Sequence, residues 1–373
     1  MKNKKFLLSL GLILVLSMFL AACGGSNNNN SNDGNKDANG NNGESTDDFS
    51  IAMVTDTGGI DDKSFNQSAW EGLNAWGEEH GKEKGADGFD YAQSEDDSDY
   101  MPNFSRLVKN DFDLVYGVGF LLQDAVEEIA SQNPDNYFAI IDTVAEEADN
   151  ITSITFAEHE GSFLAGVVAA MKTETDKLGF IGGVESDLIS KFEVGFVAGA
   201  KSVNPDIEVK IQYAEDFNAV DKGKLIASNM FNDGIDIIYH AAGNTGNGAF
   251  AEAKDIKQND ADREVWVIGV DRDQYEEGLN EDKSASVTLT SMVKRVDIAV
   301  HEVANETMNG EFPGGETLVF GLEDEGVSVA DTNEEAFTDE IREAVKEWEE
   351  KIKSGDVDVP KTRDELKEFE ESL

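Results

Sequence analysis

The sequence predicts an α/β protein of two lobes, each a parallel sheet with helices on both faces. Three observations carry that expectation. Short apolar runs alternate with helical runs along most of the chain. The apolar runs are near-continuous rather than alternating, as strands buried on both faces require. About ten such units recur, which is many for one open sheet, so two lobes are expected.

The elements follow in order. The chain begins MKNKK and continues FLLSLGLILVLSMFLAAC. Lysines before a short apolar core, ending in small residues, are the layout of a secretory signal over residues 1–22. The tetrapeptide Leu20-Ala21-Ala22-Cys23 is similar to a bacterial lipobox, in which the cysteine is acylated. Cys23 is the only cysteine, so an intramolecular disulfide is excluded. Residues 23–48 are rich in Asn, Gly and Ser and read as a disordered tether beyond the lipid. The folded body is expected from Phe49, on the outer face of a bacterial cytoplasmic membrane.

Strands are expected at 51–56, 89–94, 113–119, 137–142 and 151–156, then at 178–184, 208–215, 236–243, 264–271 and 285–291. The stretch DDKSFNQSAWEGL opens a helix, where Ser64 and Gln67 fit a capping box. Ala69, Leu73 and Trp76 form its inward stripe. SMVKRVDIAV places Lys294 and Arg295 at the start of a helix. Cations there oppose the helix dipole, so an acidic partner or a ligand acceptor is expected. From about residue 333, Ala336, Ile341, Val345, Trp348 and Ile352 recur at helical spacing. They predict one amphipathic helix that caps the body, followed by a short acidic tail.

Composition narrows the function. The formal net charge is -47, from 77 acidic residues against 30 Lys plus Arg. Such a chain does not hold nucleic acid through phosphate contacts. Anionic lipid would repel it, so the acyl group must do the anchoring. No G-x-S-x-G or H-E-x-x-H motif is present and the four histidines are scattered. No catalytic residue, metal or cofactor is expected. HAAGNTGNGAF is neither G-x-G-x-x-G nor a Walker loop. Its glycines read as close backbone approach, to a ligand or to the facing lobe.

Candidate site residues come from position. Asp56, Asp142, Gly243 and Asp271 end strands, and open α/β sheets bind ligands beyond the carboxyl ends of their strands. Taken singly, each is equally a turn or cap residue. Phe65 and Phe217 each sit between a strand and a helix. Phe65 is either a hydrophobic staple or a wall for a planar ligand, with Asn66 as its hydrogen-bonding neighbour. An aromatic from each lobe suits a sandwiched ring, at about 1–3 kcal/mol per stacked contact.

Six motifs then carry a resemblance: VTDTGGIDDKSFNQSAWEG, AEHEGSFLAG, FIGGV with KFEVGFVAG, DIIYHAAGNTGNG, WVIGVDRDQ and LTSMVKRVD. In this order they resemble the basic membrane lipoprotein family, the PnrA-like substrate-binding lipoproteins of purine-nucleoside ABC transporters. The resemblance runs from about residue 50 to about 330. It implies a type I periplasmic-binding-protein fold, two doubly wound lobes joined by a three-crossing hinge. The N-terminal lobe would comprise 49–155 plus about 294–318, and the C-terminal lobe 156–293 plus about 319–373. It implies that Phe65 and Phe217 sandwich a purine and that Asn66 contacts it. Asp56 and Asp142 would be strand-end carboxylates of the N-terminal lobe. Asp271 would hold ribose hydroxyls, Lys294 would be a hinge-side lysine and Gly243 a backbone contact. Two departures, Asn244 in place of a second glycine and a proline-free VESDLISKFE loop, bear on base preference. The implied function is a monomeric receptor that captures guanosine, inosine or adenosine and delivers it to an ABC permease. The alternatives are a sugar or other small-molecule receptor, a signalling lipoprotein, or a surface nucleoside hydrolase. The hydrolase would need a water-activating group, and the sequence singles out none.

Overall fold

The computed structural model describes residues 49–373. The expected signal, Cys23 and the tether lie outside the described residues. From Ile51 the chain forms β1 (Ile51–Thr55), α1 (Phe65–His80), β2 (Phe89–Ala92), α2 (Tyr100–Lys109), β3 (Leu114–Val118), α3 (Gln123–Gln132), β4 (Tyr137–Ile141) and β5 (Ile151–Phe156). It crosses into α4 (Glu158–Lys172), β6 (Lys177–Gly182), α5 (Asp187–Val203), β7 (Glu208–Tyr213), α6 (Val220–Asn232), β8 (Ile237–Ala241), α7 (Asn247–Asn259), β9 (Trp266–Asp271) and β10 (Thr288–Lys294). It crosses back into α8 (Val296–Met308) and β11 (Thr317–Phe320). It crosses a third time into β12 (Val327–Val329), α9 (Asp339–Lys353) and α10 (Arg363–Ser372).

Two six-stranded sheets result. The first has the order β11-β5-β4-β3-β1-β2 with every pairing parallel. The second has the order β12-β10-β9-β8-β6-β7, parallel except where β12 runs against β10. β1, β3 and β8 are buried at every position, which explains their largely apolar sequences. In the first lobe α1 and α8 pack together, while α2 and α3 meet each other. In the second, α4 packs closely on α5, and α6 on α7.

The α4–α5 contact shows why those helices carry so many small residues. A Cβ on Gly195 would stand 2.2 Å from the His159 carbonyl oxygen, and one on Gly199 would stand 1.9 Å from that of Phe163. Only glycine allows backbones so close.

Three expectations are corrected. β11 and β12 were not foreseen, and they are the short strands that flank the third crossing. Lys294 is not at a helix start: it is the last residue of β10, and Arg295 is the N-cap of α8. The acidic tail after α9 is itself a docked helix, α10, opened by a Thr362–Glu365 capping box. Arg363 forks onto Glu193 at 2.9 and 2.8 Å and reaches Glu185 at 2.6 Å. Phe369 meets the ring of Phe163 edge-on at 6.4 Å.

Candidate functional site

Strand ends from both sheets converge between the lobes on one cavity. The eight residues singled out in the sequence all line it: Asp56, Phe65, Asn66, Asp142, Phe217, Gly243, Asp271 and Lys294.

The first-lobe wall is built by two carboxylates. Asp56 follows β1, and its Oδ1 accepts from the Gly58 N–H at 3.0 Å and from Asn66 Nδ2 at 2.9 Å. Asp62 caps α1. Its carboxylate accepts the N–H groups of Ser64 at 2.8 Å, Asn66 at 3.0 Å and Gln67 at 3.1 Å, and also Asn66 Nδ2 at 3.1 Å. The expected Ser64–Gln67 capping box is therefore absent. Ser64 makes no cap bond and instead donates from Oγ to Asp271 Oδ2 at 2.5 Å. An aspartate three residues before the helix does the capping, and serine is freed to reach the other lobe.

These contacts fix the direction of the Asn66 amide. Its NH₂ must face the two acceptors, which leaves Oδ1 buried and without a partner. Asp142 Oδ1 is likewise buried without a partner. The Asn244 amide donates one N–H to Asn218 and accepts from Asn247, which leaves its second N–H free. Among the described side chains lining the cavity, only Lys294 and Asn244 have donor capacity to spare.

Lys294 lies at the hinge-side end. Its Nζ stands 2.6 Å from Asp142 Oδ2 and 3.8 Å from Asp271 Oδ1. Burial opposes its charge, but Asp142, Asp271 and Glu158 outweigh that and raise its pKa. Burial pushes the carboxyls of Asp56 and Asp271 up to about 6 each. Asp142 and Asp271 both have left-handed backbone, with φ of 71° and 66°. Each turns the chain sharply at the end of its strand, and both line the cavity.

The aromatic side is larger than the sequence suggested. Phe65 is half-buried, with Lys294 Nζ 4.7 Å from its ring centre. Phe217 lies over Gly183, where a Cβ would come within 2.1 Å of the ring. Phe120 meets Phe217 edge-on at 6.2 Å, and Phe192 completes the lining. Phe120, Phe192 and Asp62 were not foreseen. Phe120 carries the same signal as the other two, an aromatic directly after a strand. Phe192 lies on α5 and reads as ordinary core. The glycines of the β8–α7 turn serve their own lobe rather than the facing one: Gly246 is pressed on the His240 ring, and Gly248 on α6.

The family model described as "ABC transporter substrate-binding protein PnrA-like" matches residues 49–363. The chain belongs to this family. A CD4+ T-cell-stimulating antigen of Listeria innocua is 47% identical over 363 residues, covering 96% of this chain and 99% of the relative. The ABC transporter nucleoside-binding protein BmpA of Lactococcus lactis is 45% identical, covering 87% and 92%. A solute-binding protein of an ABC transporter system from Aeropyrum pernix superposes with a TM-score of 0.74 at 25% identity, covering 86% and 98%. The fold is thus the type I periplasmic-binding-protein fold, and family members are the extracytoplasmic substrate-binding components of ABC transporters. This chain is a substrate-binding protein of that kind.

Proposed function

We propose that this chain is a lipid-anchored receptor, held through Cys23, that captures purine nucleosides between its lobes and passes them to an ABC permease. Guanosine, inosine and adenosine are the ligands expected. The observation that carries this reading is the pairing of Phe65 and Phe217, from opposite lobes, on one cavity whose unspent polar atoms are nearly all acceptors. A nucleoside is neutral, flat at one end and rich in hydroxyl donors at the other. Phe65 and Phe217 stack the base, and Asn66 Oδ1 and Asp56 accept from its N–H groups. Asp271 and Asp142 accept ribose hydroxyls, Lys294 donates to ribose oxygen, and Gly243 contributes backbone. An anionic nucleotide would meet Asp56, Asp62, Asp142 and Asp271 and be repelled. The nucleoside-binding name of the Lactococcus lactis relative agrees with this reading.

Calorimetric titration of the full chain, stripped of ligand by unfolding and refolding, tests it against inosine, guanosine, adenosine, cytidine and ribose. Saturable binding of the three purine nucleosides, with ribose silent, is expected. Binding of ribose alone would replace the nucleoside by a sugar.

A further inference from the structure

Second-lobe side chains converge on one short stretch of the first lobe. Asn247 Nδ2, at the start of α7, donates to the Asp62 carbonyl at 3.0 Å. Gln274 Nε2 donates to the Lys63 carbonyl at 2.9 Å. Asp271 accepts from the Ser64 hydroxyl. Two turns into α1, Arg272 forks onto Glu71 at 2.9 and 2.7 Å. Three consecutive residues are thus each held by a different side chain of the facing lobe.

The held stretch is strained and the holding residue is fixed. Lys63 has φ of 66°, a left-handed conformation uncommon for a residue with a Cβ. Gln274 is 1% exposed. Its Oε1 accepts the Val270 N–H at 2.9 Å and lies 3.0 Å from His240 Nε2. Burial keeps His240 neutral by lowering its pKa to about 4. With Oε1 committed to Val270, the Gln274 NH₂ can point only across the cleft. The stretch it holds includes Asp62, which caps α1 and orients Asn66. The first-lobe wall is therefore locked from the opposite lobe.

We propose that Asn247, Arg272 and Gln274 are positioning residues for ligand capture. They grip Asp62–Glu71 when the lobes close, and so set how long ligand stays rather than how fast it arrives. The inference rests on the nucleoside reading for its probe ligand only.

The test uses the full chain with Cys23→Ser and spin labels at exposed Asn110 and Gln258, one on each lobe. Asn247→Ala and Arg272→Ala should shift the ligand-free label distance to longer values. Each should raise the inosine off-rate roughly three- to tenfold while the on-rate stays within about twofold. Gln274→Glu keeps an acceptor for Val270, replaces the donor to Lys63 by a carboxylate oxygen that repels that carbonyl, and should do the same. If that variant does not fold, the other two decide. Unchanged distances in Asn247→Ala and Arg272→Ala overturn the grip. Longer distances in chains that bind no inosine would support the grip and remove the nucleoside as ligand.

Discussion

Lys294 and Asp142 meet at 2.6 Å although they belong to different sheets, one ending β10 and the other following β4. This bond ties the second hinge crossing to the first-lobe wall. It also sets one buried ammonium among the carboxylates of Asp142, Asp271 and Glu158. Removing one partner of a buried ion pair leaves the other charge uncompensated, at a cost of about 3–5 kcal/mol. Lys294→Met should therefore lower the melting temperature at pH 8 by several degrees. Part of the loss should return at pH 5, where Asp271, whose carboxyl burial raises to about 6, takes up its proton. A variant that melts with the parent at both pH values would show the pair to be dispensable.

Asp56 and Asp271 give the cavity a pH dependence. Burial raises both carboxyls from 3.8 to about 6. An acid whose folded pKa is raised holds its proton more tightly when folded. Its contribution is present below the unfolded value and is lost as pH rises through the folded one. Each group should thus remove about 3 kcal/mol of stability between pH 4 and pH 7. Ligand hydroxyls favour the ionised form, so affinity has the opposite slope. Inosine should bind about tenfold more weakly at pH 5 than at pH 7.5 if Asp271 must be ionised to accept from it. Paired melting and titration series would show both slopes, and tighter binding at pH 5 would exclude the acceptor role.

The central strand ends were legible because a parallel strand buried on both faces writes itself as an apolar run with a polar stop, and the edge strands β2 and β7 were marked by the helices on either side of them. Hence β1 to β10, Asp56, Asp142 and Asp271 could be read directly. β11 and β12 could not: TLVF and VSV are only four and three residues long, partly exposed at the sheet edges, with no helix between them. Lys294 was misplaced because β10 runs into α8 with one residue between them. The helix cap was misassigned because Ser64 and Asp62 both suit that role by type. Only the facing lobe, which supplies Asp271 to Ser64, decides between them. Interlobe partners such as Gln274 and Lys63 leave no local pattern at all.

Phe65 and Phe217 should be separable from the core. Both are half-buried around the cavity, so Phe65→Ala and Phe217→Ala should each cost about 1–3 kcal/mol of inosine affinity with little change in melting temperature. Phe120→Ala should cost less, because its edge contact braces Phe217 from the side. A large loss of stability with unchanged affinity would make Phe65 a staple for α1 and not a binding wall.

Glu193 makes the C-terminal helix part of the second lobe. Its side chain is almost wholly buried on α5, where it accepts from Tyr213 Oη at 2.5 Å and from both arms of Arg363. Arg363 is itself 44% exposed, so solvent screens much of the pairing. Arg363→Ala should cost about 1–2 kcal/mol, mainly through the carboxylate left without its charge partner. Removing residues 361–373 should cost more, since it also uncovers Phe163 where Phe369 packs. Neither change removes a cavity-lining side chain, so inosine affinity at 25 °C should hold within about twofold while the denaturant midpoint falls. A truncated chain that unfolds at the parent midpoint would show α10 to be an ornament on the surface, and the Glu193–Arg363 fork to be worth no more than an exposed ion pair.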